Sequence, residues 1–465
     1  MTAPRLVAAE ESVACAINRA AGGPPVPGNQ VDLLIDGPES YRAMLDAIAA
    51  AKQWIHFENY KIRSDSAGWR FAELLAQRAR QGVHVRVLYD WFGCFMTSRG
   101  YWRYLRDAGA EVRAFHRPQV IDVVTNLSRN HRKLVVADGQ RAILGGLCIG
   151  CEWTGEAHKD GQPWRDTAVD IRGPAAAVLD QTFVNLWKMT GTGVPAGHVA
   201  GEVPPAGNAE VRVISGEPGR ERAYRVIELL AIGSVQRLWI TDAYLVAPPR
   251  LFQALRDSAR DGVDVRLLVP GSSDVPLIRN LSRIGYRDLL RSGVRIFEWD
   301  GPMLHAKTMM CDNRWVRIGS SNLNPSSLLG NYELDVLIED HQLAQAMEDQ
   351  FRHDVARSRE VASRPVRGPR RISQALPSAL THQHPVSASV YQRSGRENRR
   401  RAVLVLRAVA SHARRSVFLP ISAIFVALGL LLVALPKVSA YVLAALCAWL
   451  ALGAGREAFR RRLDR

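Results

Sequence analysis

Two stretches of this 465-residue chain place an imidazole and an ammonium group at the same short spacing. Asn130-His131-Arg132-Lys133-Leu134-Val135-Val136-Ala137-Asp138 and Leu304-His305-Ala306-Lys307-Thr308-Met309-Met310-Cys311-Asp312 share the pattern HxKxxxxD. On an extended strand, residues two apart project to the same side, so each stretch presents His and Lys together while the residues between face a core. That pairing suits an anionic phosphorus centre: a histidine attacks phosphorus or donates a proton, and a lysine holds non-bridging oxygens. The pattern continues downstream. Six residues separate each aspartate from a glycine, in Gly145-Gly146-Leu147-Cys148 and Gly319-Ser320-Ser321-Asn322. Further on, each copy carries a carboxylate, in Trp164-Arg165-Asp166 and Asn331-Tyr332-Glu333. Such a carboxylate can orient a histidine's second ring nitrogen and stabilise its imidazolium; it can also be an ordinary surface group. A single His-x-Lys is commonplace surface decoration, whereas two matched copies at equivalent points of a repeat are not.

The elements that must position these residues are themselves repeated. Each copy opens with an amphipathic helix, at Tyr41–Ala51 and at Tyr224–Leu230, followed by an apolar strand, Trp54–Tyr60 or Arg237–Tyr244. A second helix ends at Gly82 or Gly262, where glycine supplies a left-handed cap. Near-identical strands follow, Val83–Leu88 and Val263–Leu268, then a helix-glycine-strand unit, Leu105–Phe115 and Leu289–Phe297, and last the motif. The alternation predicts an α/β fold of two pseudo-symmetric lobes, residues 29–195 and 205–355, each a mixed β-sheet flanked by helices. Residues 1–28 are a leader ending in a Gly/Pro turn, and the Gly/Pro/Val-rich segment 190–210 separates the lobes. The aromatics Trp91, Phe92, Phe95, Tyr101 and Trp102, ahead of the first motif, either line a substrate entrance or pack in the core.

Charge narrows the function. The net charge of +16 resembles that of a nucleic-acid binder until it is located. Residues 352–465 hold 21 of the 61 basic and 5 of the 45 acidic residues, which leaves 40 of each in the first 351. A formally neutral body argues against a basic nucleic-acid groove, so no nucleic-acid partner is expected. The six cysteines are scattered, as in a reduced protein facing the cytosol. Cys148 and Cys151 form a C-x-x-C, but no second pair exists to complete a zinc site, and no metal or cofactor is expected.

Asn130–Gly150 and Pro302–Asp340 together resemble the phospholipase D superfamily, marked by two HxKxxxxD-x6-G-[GS]-x-N motifs, and most of all its bacterial cardiolipin synthase-like branch. The resemblance spans about residues 29–355. It implies metal-independent, two-step transfer: one histidine forms a covalent phosphohistidine while the other protonates the leaving alcohol, and an acceptor hydroxyl or water resolves the intermediate. By analogy His131 is the nucleophile and His305 the acid/base, although the symmetry allows the reverse. Lys133, Lys307 and Asn322 would bind phosphoryl oxygens, with Ser320 beside them; Asp166 and Glu333 would orient the histidines, and Asp138 and Asp312 would hold the local structure of their motifs. One position departs from the family pattern: Cys148 stands where it has Asn, and a thiol is a poor donor. The substrate implied is a phospholipid such as phosphatidylglycerol, giving a phosphatidyltransferase, with a hydrolytic phospholipase D as the alternative and a nuclease as a third reading. No obligate protein partner is evident.

The C-terminal end points to a membrane. Residues 416–436 and 438–455 are uncharged runs of 21 and 18 residues, interrupted by Lys437. As helices they would extend roughly 31 and 27 Å, close to the hydrocarbon thickness of a bilayer. The short Pro436-Lys437 break predicts a transmembrane helical hairpin over 416–455. Arginines crowd both outer ends, in the linker 356–415 and the tail 456–465, which predicts that both ends and the catalytic lobes face the cytoplasm. The first twenty residues lack a basic segment followed by an apolar run, so no cleavable signal is expected.

Overall fold

Runs of β-branched residues alternate with amphipathic stretches along the chain, and strands and helices alternate accordingly, twice over. A computed structural model describes residues 13–115, 128–157 and 161–362, all within one compact unit, Met1–Arg364. Helix α1 (residues 13–21) comes first. The first half then runs β1 (Val26–Ile35), α2 (Asp36–Ala50), β2 (Trp54–Asn59), α3 (Ser66–Arg80), β3 (His84–Asp90), α4 (Arg99–Asp107), β4 (Glu111–Phe115), β5 (Lys133–Ala137), β6 (Arg141–Gly145), α5 (Cys151–Thr154), β7 (Thr167–Arg172) and α6 (Pro174–Lys188). The second half repeats it as β8 (Ala209–Gly216), α7 (Arg222–Gly233), β9 (Arg237–Thr241), α8 (Pro249–Arg260), β10 (Asp264–Pro270), α9 (Pro276–Arg291), β11 (Arg295–Trp299), β12 (Thr308–Cys311), β13 (Trp315–Gly319), β14 (Glu333–Glu339) and α10 (His341–Ala356). A π turn, Ser326–Gly330, stands where the first half has α5, and β15 (Ser358–Glu360) follows α10.

Local chemistry sets these boundaries. Asp65 accepts from the Gly68 amide at 2.9 Å to start α3, and Ser98 and Asp340 do the same for α4 and α10. Gly82 and Gly262, at φ +89° and +94°, follow α3 and α8 in the left-handed conformation expected of them.

The sequence predicts one sheet per lobe, and here the structure differs. β1 and β8 pair antiparallel, Val26 with Val211 and Asn29 with Ala209, which joins the two mixed sheets into one of fifteen strands. Its order, β15-β11-β10-β9-β12-β13-β14-β8-β1-β7-β6-β5-β2-β3-β4, is mirrored about the β8–β1 pair. Strands that would be the exposed edges of separate sheets satisfy each other's backbone groups instead. The leader is also more than a leader: Ile17, Ala20 and Ala21 of α1 are buried in the core of the second half.

Three cores hold the unit. α2, α3 and α4 cover the first half, and α1, α7, α8 and α9 cover the second. The third core is common to both: Phe183 and Trp187 of α6 and Met347 and Phe351 of α10 pack with Val136, Val169, Val316 and Val336. That shared core fixes the halves against each other and brings the starts of β5 and β12 together. The segment 416–455, where a hairpin is predicted, lies outside the described residues. Among those described, no helix is long and apolar enough to cross a membrane.

Candidate active site

β5 and β12 are buried along their whole length, so their chemistry gathers where they begin. His131 lies two residues ahead of β5 and Lys133 is its first residue, while His305 and Lys307 precede β12, so the paired groups sit at the strand entrances. Both entrances are stitched to the opposite half. The His131 amide donates to the Tyr332 carbonyl at 2.9 Å, and the His305 amide donates to the Arg165 carbonyl at 2.7 Å. Each histidine is thereby delivered to the carboxylate that follows its partner segment. His131 Nδ1 lies 3.0 Å from Glu333, and His305 Nδ1 lies 2.8 Å from Asp166. The orienting pairs are therefore crosswise: the carboxylate of each half serves the histidine of the other.

Because a carboxylate only accepts, Nδ1 of each imidazole carries the proton and Nε2 keeps its lone pair. Both histidines line a cavity of about 610 Å³, together with Cys148, Asn322, Tyr60 and Tyr244. The lysine amines lie behind this wall. Lys133 donates to the His131 carbonyl at 2.5 Å, and Lys307 donates to the His305 carbonyl and lies 3.0 Å from His305 Nδ1. An ammonium has three donors, so each lysine retains hydrogens for an incoming anion.

Burial and charge tune these groups. Burial, reinforced by the neighbouring Lys307 ammonium, pulls His305 down to about 4 against the opposing charge of Asp166. Burial also lowers His131, with Glu333 opposing. Lys307 is brought down to about 8, chiefly by burial, and Lys133 is lowered for the same reason. Burial alone would raise Asp166, but His305 and Lys307 hold it down to about 2. Burial likewise raises Glu333, but His131, Lys133 and the Ser320 hydroxyl together bring it below its ordinary value. At neutral pH the site thus holds two neutral imidazoles, each braced by a carboxylate, beside two buried lysines. It is built to receive an anion.

The remaining expected residues divide. Ser320 does not face the cavity: its hydroxyl donates to Glu333 at 2.5 Å, which makes it a brace for the carboxylate rather than a phosphate ligand. Asp138 and Asp312 stand apart from the histidines and bind backbone amides. Asp138 accepts from the amides of Lys52, Gln53 and Trp54 at 2.7 to 2.9 Å, and Asp312 from those of Val235, Gln236 and Arg237 at 2.8 to 2.9 Å. They tie the ends of β5 and β12 to the starts of β2 and β9. Asn322 lines the cavity; its amide nitrogen lies 3.3 Å from Ser327 Oγ while its buried Oδ1 has no partner. Exchanging the two amide atoms lets Ser327 donate to Oδ1 and aims Nδ2 at an incoming oxygen. Cys148 is buried, and burial pushes its thiol up, so it remains protonated and a weak donor. Neither it nor Cys151 is in a disulfide.

The aromatic cluster splits between its two readings. Tyr101 and Trp102 are core residues, with Trp102 stacked on Tyr89 at 3.9 Å, whereas Phe92 lines the cavity and Phe95 is exposed. Other aromatics in the wall are not part of the motifs. Tyr60 packs edge-on against His131 at 4.9 Å, Tyr244 and Trp153 edge-on against His305 at 6.0 and 5.5 Å, and Trp164 lies tilted against His305 at 5.8 Å. The available signal was that Tyr60 and Tyr244 each end a strand-like run of the repeat, and that Trp164 directly precedes Arg165-Asp166.

The chain is similar to known proteins. The family described as cardiolipin synthase, PLD-like domain, matches residues 44–187 and 228–355. Cardiolipin synthase A of Pseudomonas entomophila (strain L48) is 34% identical over 354 residues, covering 76% of this chain and 74% of that protein. Cardiolipin synthase A of Pseudomonas aeruginosa (strain LESB58) is 32% identical over 361 residues, 77% and 74% of the two chains. Among solved structures, the phosphatidylserine synthase of Haemophilus influenzae Rd KW20 shares the fold at a TM-score of 0.58 and 17% identity, over 75% of this chain and 92% of that one.

Proposed function

The chain belongs to the cardiolipin synthase family with a phospholipase D-like domain, and from that premise we propose that it is a phosphatidyltransferase of phospholipid synthesis, working through a covalent phosphohistidine. The observation that carries this reading is the crosswise bracing of two neutral histidines around one cavity. Two such imidazoles are what a two-step displacement at phosphorus needs. His131 Nε2 attacks phosphorus as the bond to the leaving glycerol oxygen breaks, and His305 protonates that oxygen. Burial, with Lys307, keeps His305 neutral in the free site, and the negative charge of the incoming phosphodiester opposes both causes and favours the protonated imidazole that this step requires. In the second step His305 takes the proton of an acceptor alcohol, whose oxygen attacks phosphorus as the phosphorus–nitrogen bond breaks. Lys133, Lys307 and Asn322 hold the non-bridging oxygens.

The formally neutral first 351 residues support a lipid over a nucleic acid as substrate. The uncharged runs at 416–436 and 438–455, flanked by arginines, support a C-terminal hairpin in the inner membrane with the catalytic unit on the cytoplasmic side. The test is to supply vesicles of head-labelled and acyl-labelled phosphatidylglycerol and resolve the lipids formed. Cardiolipin with release of glycerol is expected. Phosphatidic acid as the sole product would replace the transferase reading with a hydrolytic one.

A further inference from the structure

The turn between β3 and α4 presents three large apolar side chains to solvent. Phe92, Phe95 and Met96 are 57%, 67% and 72% exposed. Apolar side chains exposed singly are ordinary, but three within five residues beside a cavity are not. Nor is the turn loose. Asp90 Oδ1 accepts from the Phe92 and Gly93 amides at 2.9 Å each, and the Cys94 amide donates to the Asp90 carbonyl at 3.0 Å. Gly93 lies so close to the Tyr60 carbonyl that a Cβ there would meet the oxygen at 2.1 Å, and Cys94 is buried beneath. The inner residues anchor the turn while Phe92, Phe95 and Met96 are held outward.

The apolar tip runs into the site. Phe92 is both exposed and part of the cavity wall, and the same cavity is lined by Val275, also exposed, and Ile278. Directly after the tip, α4 exposes Arg99, Arg103 and Arg106. An apolar point collared by cations is the chemistry that inserts into an anionic bilayer: the apolar groups enter the acyl boundary and the guanidinium groups stay at the headgroups.

We propose that residues 91–98 are an insertion element for an anionic phospholipid bilayer, with Arg99, Arg103 and Arg106 holding it at headgroup depth, so that the cavity opens onto the lipid surface. The proposal rests on the reading of the substrate as a phospholipid, and two measurements on the full-length chain separate the two ideas. The first is amide hydrogen exchange in nanodiscs, which needs no turnover. Exchange across 91–98 is expected to be at least fivefold slower in phosphatidylglycerol than in phosphatidylcholine discs; equal exchange in the two, or protection that instead follows protein concentration, overturns the proposal in favour of solvent or a second copy. The second is the double variant Phe95→Ser/Met96→Ser. Its turnover of bilayer phosphatidylglycerol should fall about tenfold while turnover of monomeric dihexanoyl-phosphatidylglycerol stays at the wild-type level, which also shows that the variant folds. An equal loss on both substrates, or no loss on either, counts against insertion. A wild-type chain inactive on both substrates sinks the substrate reading and leaves the exchange measurement to decide the docking.

Discussion

The two half-sites hold their histidines in the same pose by different means. Behind His131 stands the longer Glu333, itself held by the Ser320 hydroxyl at 2.5 Å. Behind His305 stands the shorter Asp166, held by the Trp153 indole at 2.9 Å and capped by the Thr167 amide. The position matching Ser320 is Gly146, and a Cβ there would come within 2.1 Å of Asp166 Oδ1. Glu with Ser and Asp with Gly are therefore two self-consistent solutions, and exchanging one member alone leaves a clash or an unbraced carboxylate. What the repeat preserves is the position of the imidazole. Because the carboxylates cross over, neither half can form a braced histidine alone, and that dependence ties the site to the shared core and the β1–β8 seam.

The most severe way to break the comparison is to remove a histidine. His131→Ala and His305→Ala should each lower turnover by about 10⁴-fold, since residues acting as a unit fail together. The two losses differ in what accumulates. With His131 as nucleophile, His305→Ala still forms phosphoenzyme from a substrate with a good leaving group, and His131→Ala forms none. Mass spectrometry of protein denatured at alkaline pH, where the phosphorus–nitrogen bond survives, reads this directly, and a phosphatidyl adduct on residue 305 in the His131→Ala protein would reverse the roles.

Next come the carboxylates. Glu333→Gln and Asp166→Asn keep the shape but present an amide that permits the wrong tautomer, for which a loss of about 10³-fold is reasonable. Crosswise bracing makes a sharper statement than magnitude. Chemical-shift titration of the imidazoles should find that Glu333→Gln perturbs His131 and leaves His305 in place, with Asp166→Asn doing the opposite. Perturbation within the same half would contradict the pairing.

The paired histidines and lysines and the α/β repeat were legible because each rests on local spacing and periodicity. Tyr332 and Glu333 are local to one another as well, yet their attachment to His131 spans some two hundred positions, and no pattern in either copy says which histidine a carboxylate serves. The role of Ser320 was hidden for the same reason: the motif shows a hydroxyl near a glycine, and only the fold shows that Glu333 comes back across it. Asp138 and Asp312 follow the histidines at a fixed interval, which invites a catalytic reading. On strands, however, that interval carries them to the far end of β5 and β12, where they satisfy backbone amides. The fusion of the two sheets was illegible because β1 and β8 read alike whether or not they meet.

A pH profile sharpens the comparison without mutating either histidine. Lys307 is pulled from 10.5 to about 8, so the ammonium proposed to hold substrate is lost as pH rises through about 8. The plot of kcat/KM, which reports the free enzyme, should bend downward near that pH and fall about tenfold per unit above it. Lys307→Arg should keep a reduced activity and lose the bend, because guanidinium does not titrate there. Stability moves the other way for this group. Between about 8 and 10.5 the unfolded chain keeps a proton that the folded chain has released, so the contribution of Lys307 to stability rises with pH. A bend that survives in Lys307→Arg would assign the limb elsewhere.

The smallest expected effects lie at Cys148 and Asn322, and they decide whether the asymmetry matters to phosphate. If the oxygens are held from the second half, Asn322→Cys removes the one amide donor of the matched pair and should cost about a hundredfold in kcat/KM, the lower end of the range for losing a donor to a developing oxyanion. Cys148→Asn restores the family residue but enters a wall already closed around a thiol, and it should change kcat/KM by no more than about threefold. The double exchange is the informative member. A mirror-symmetric site would tolerate it, because the donor has only changed sides. In this protein the Ser327 hydroxyl that positions the amide belongs to the second half, and the double variant should be no more active than Asn322→Cys alone.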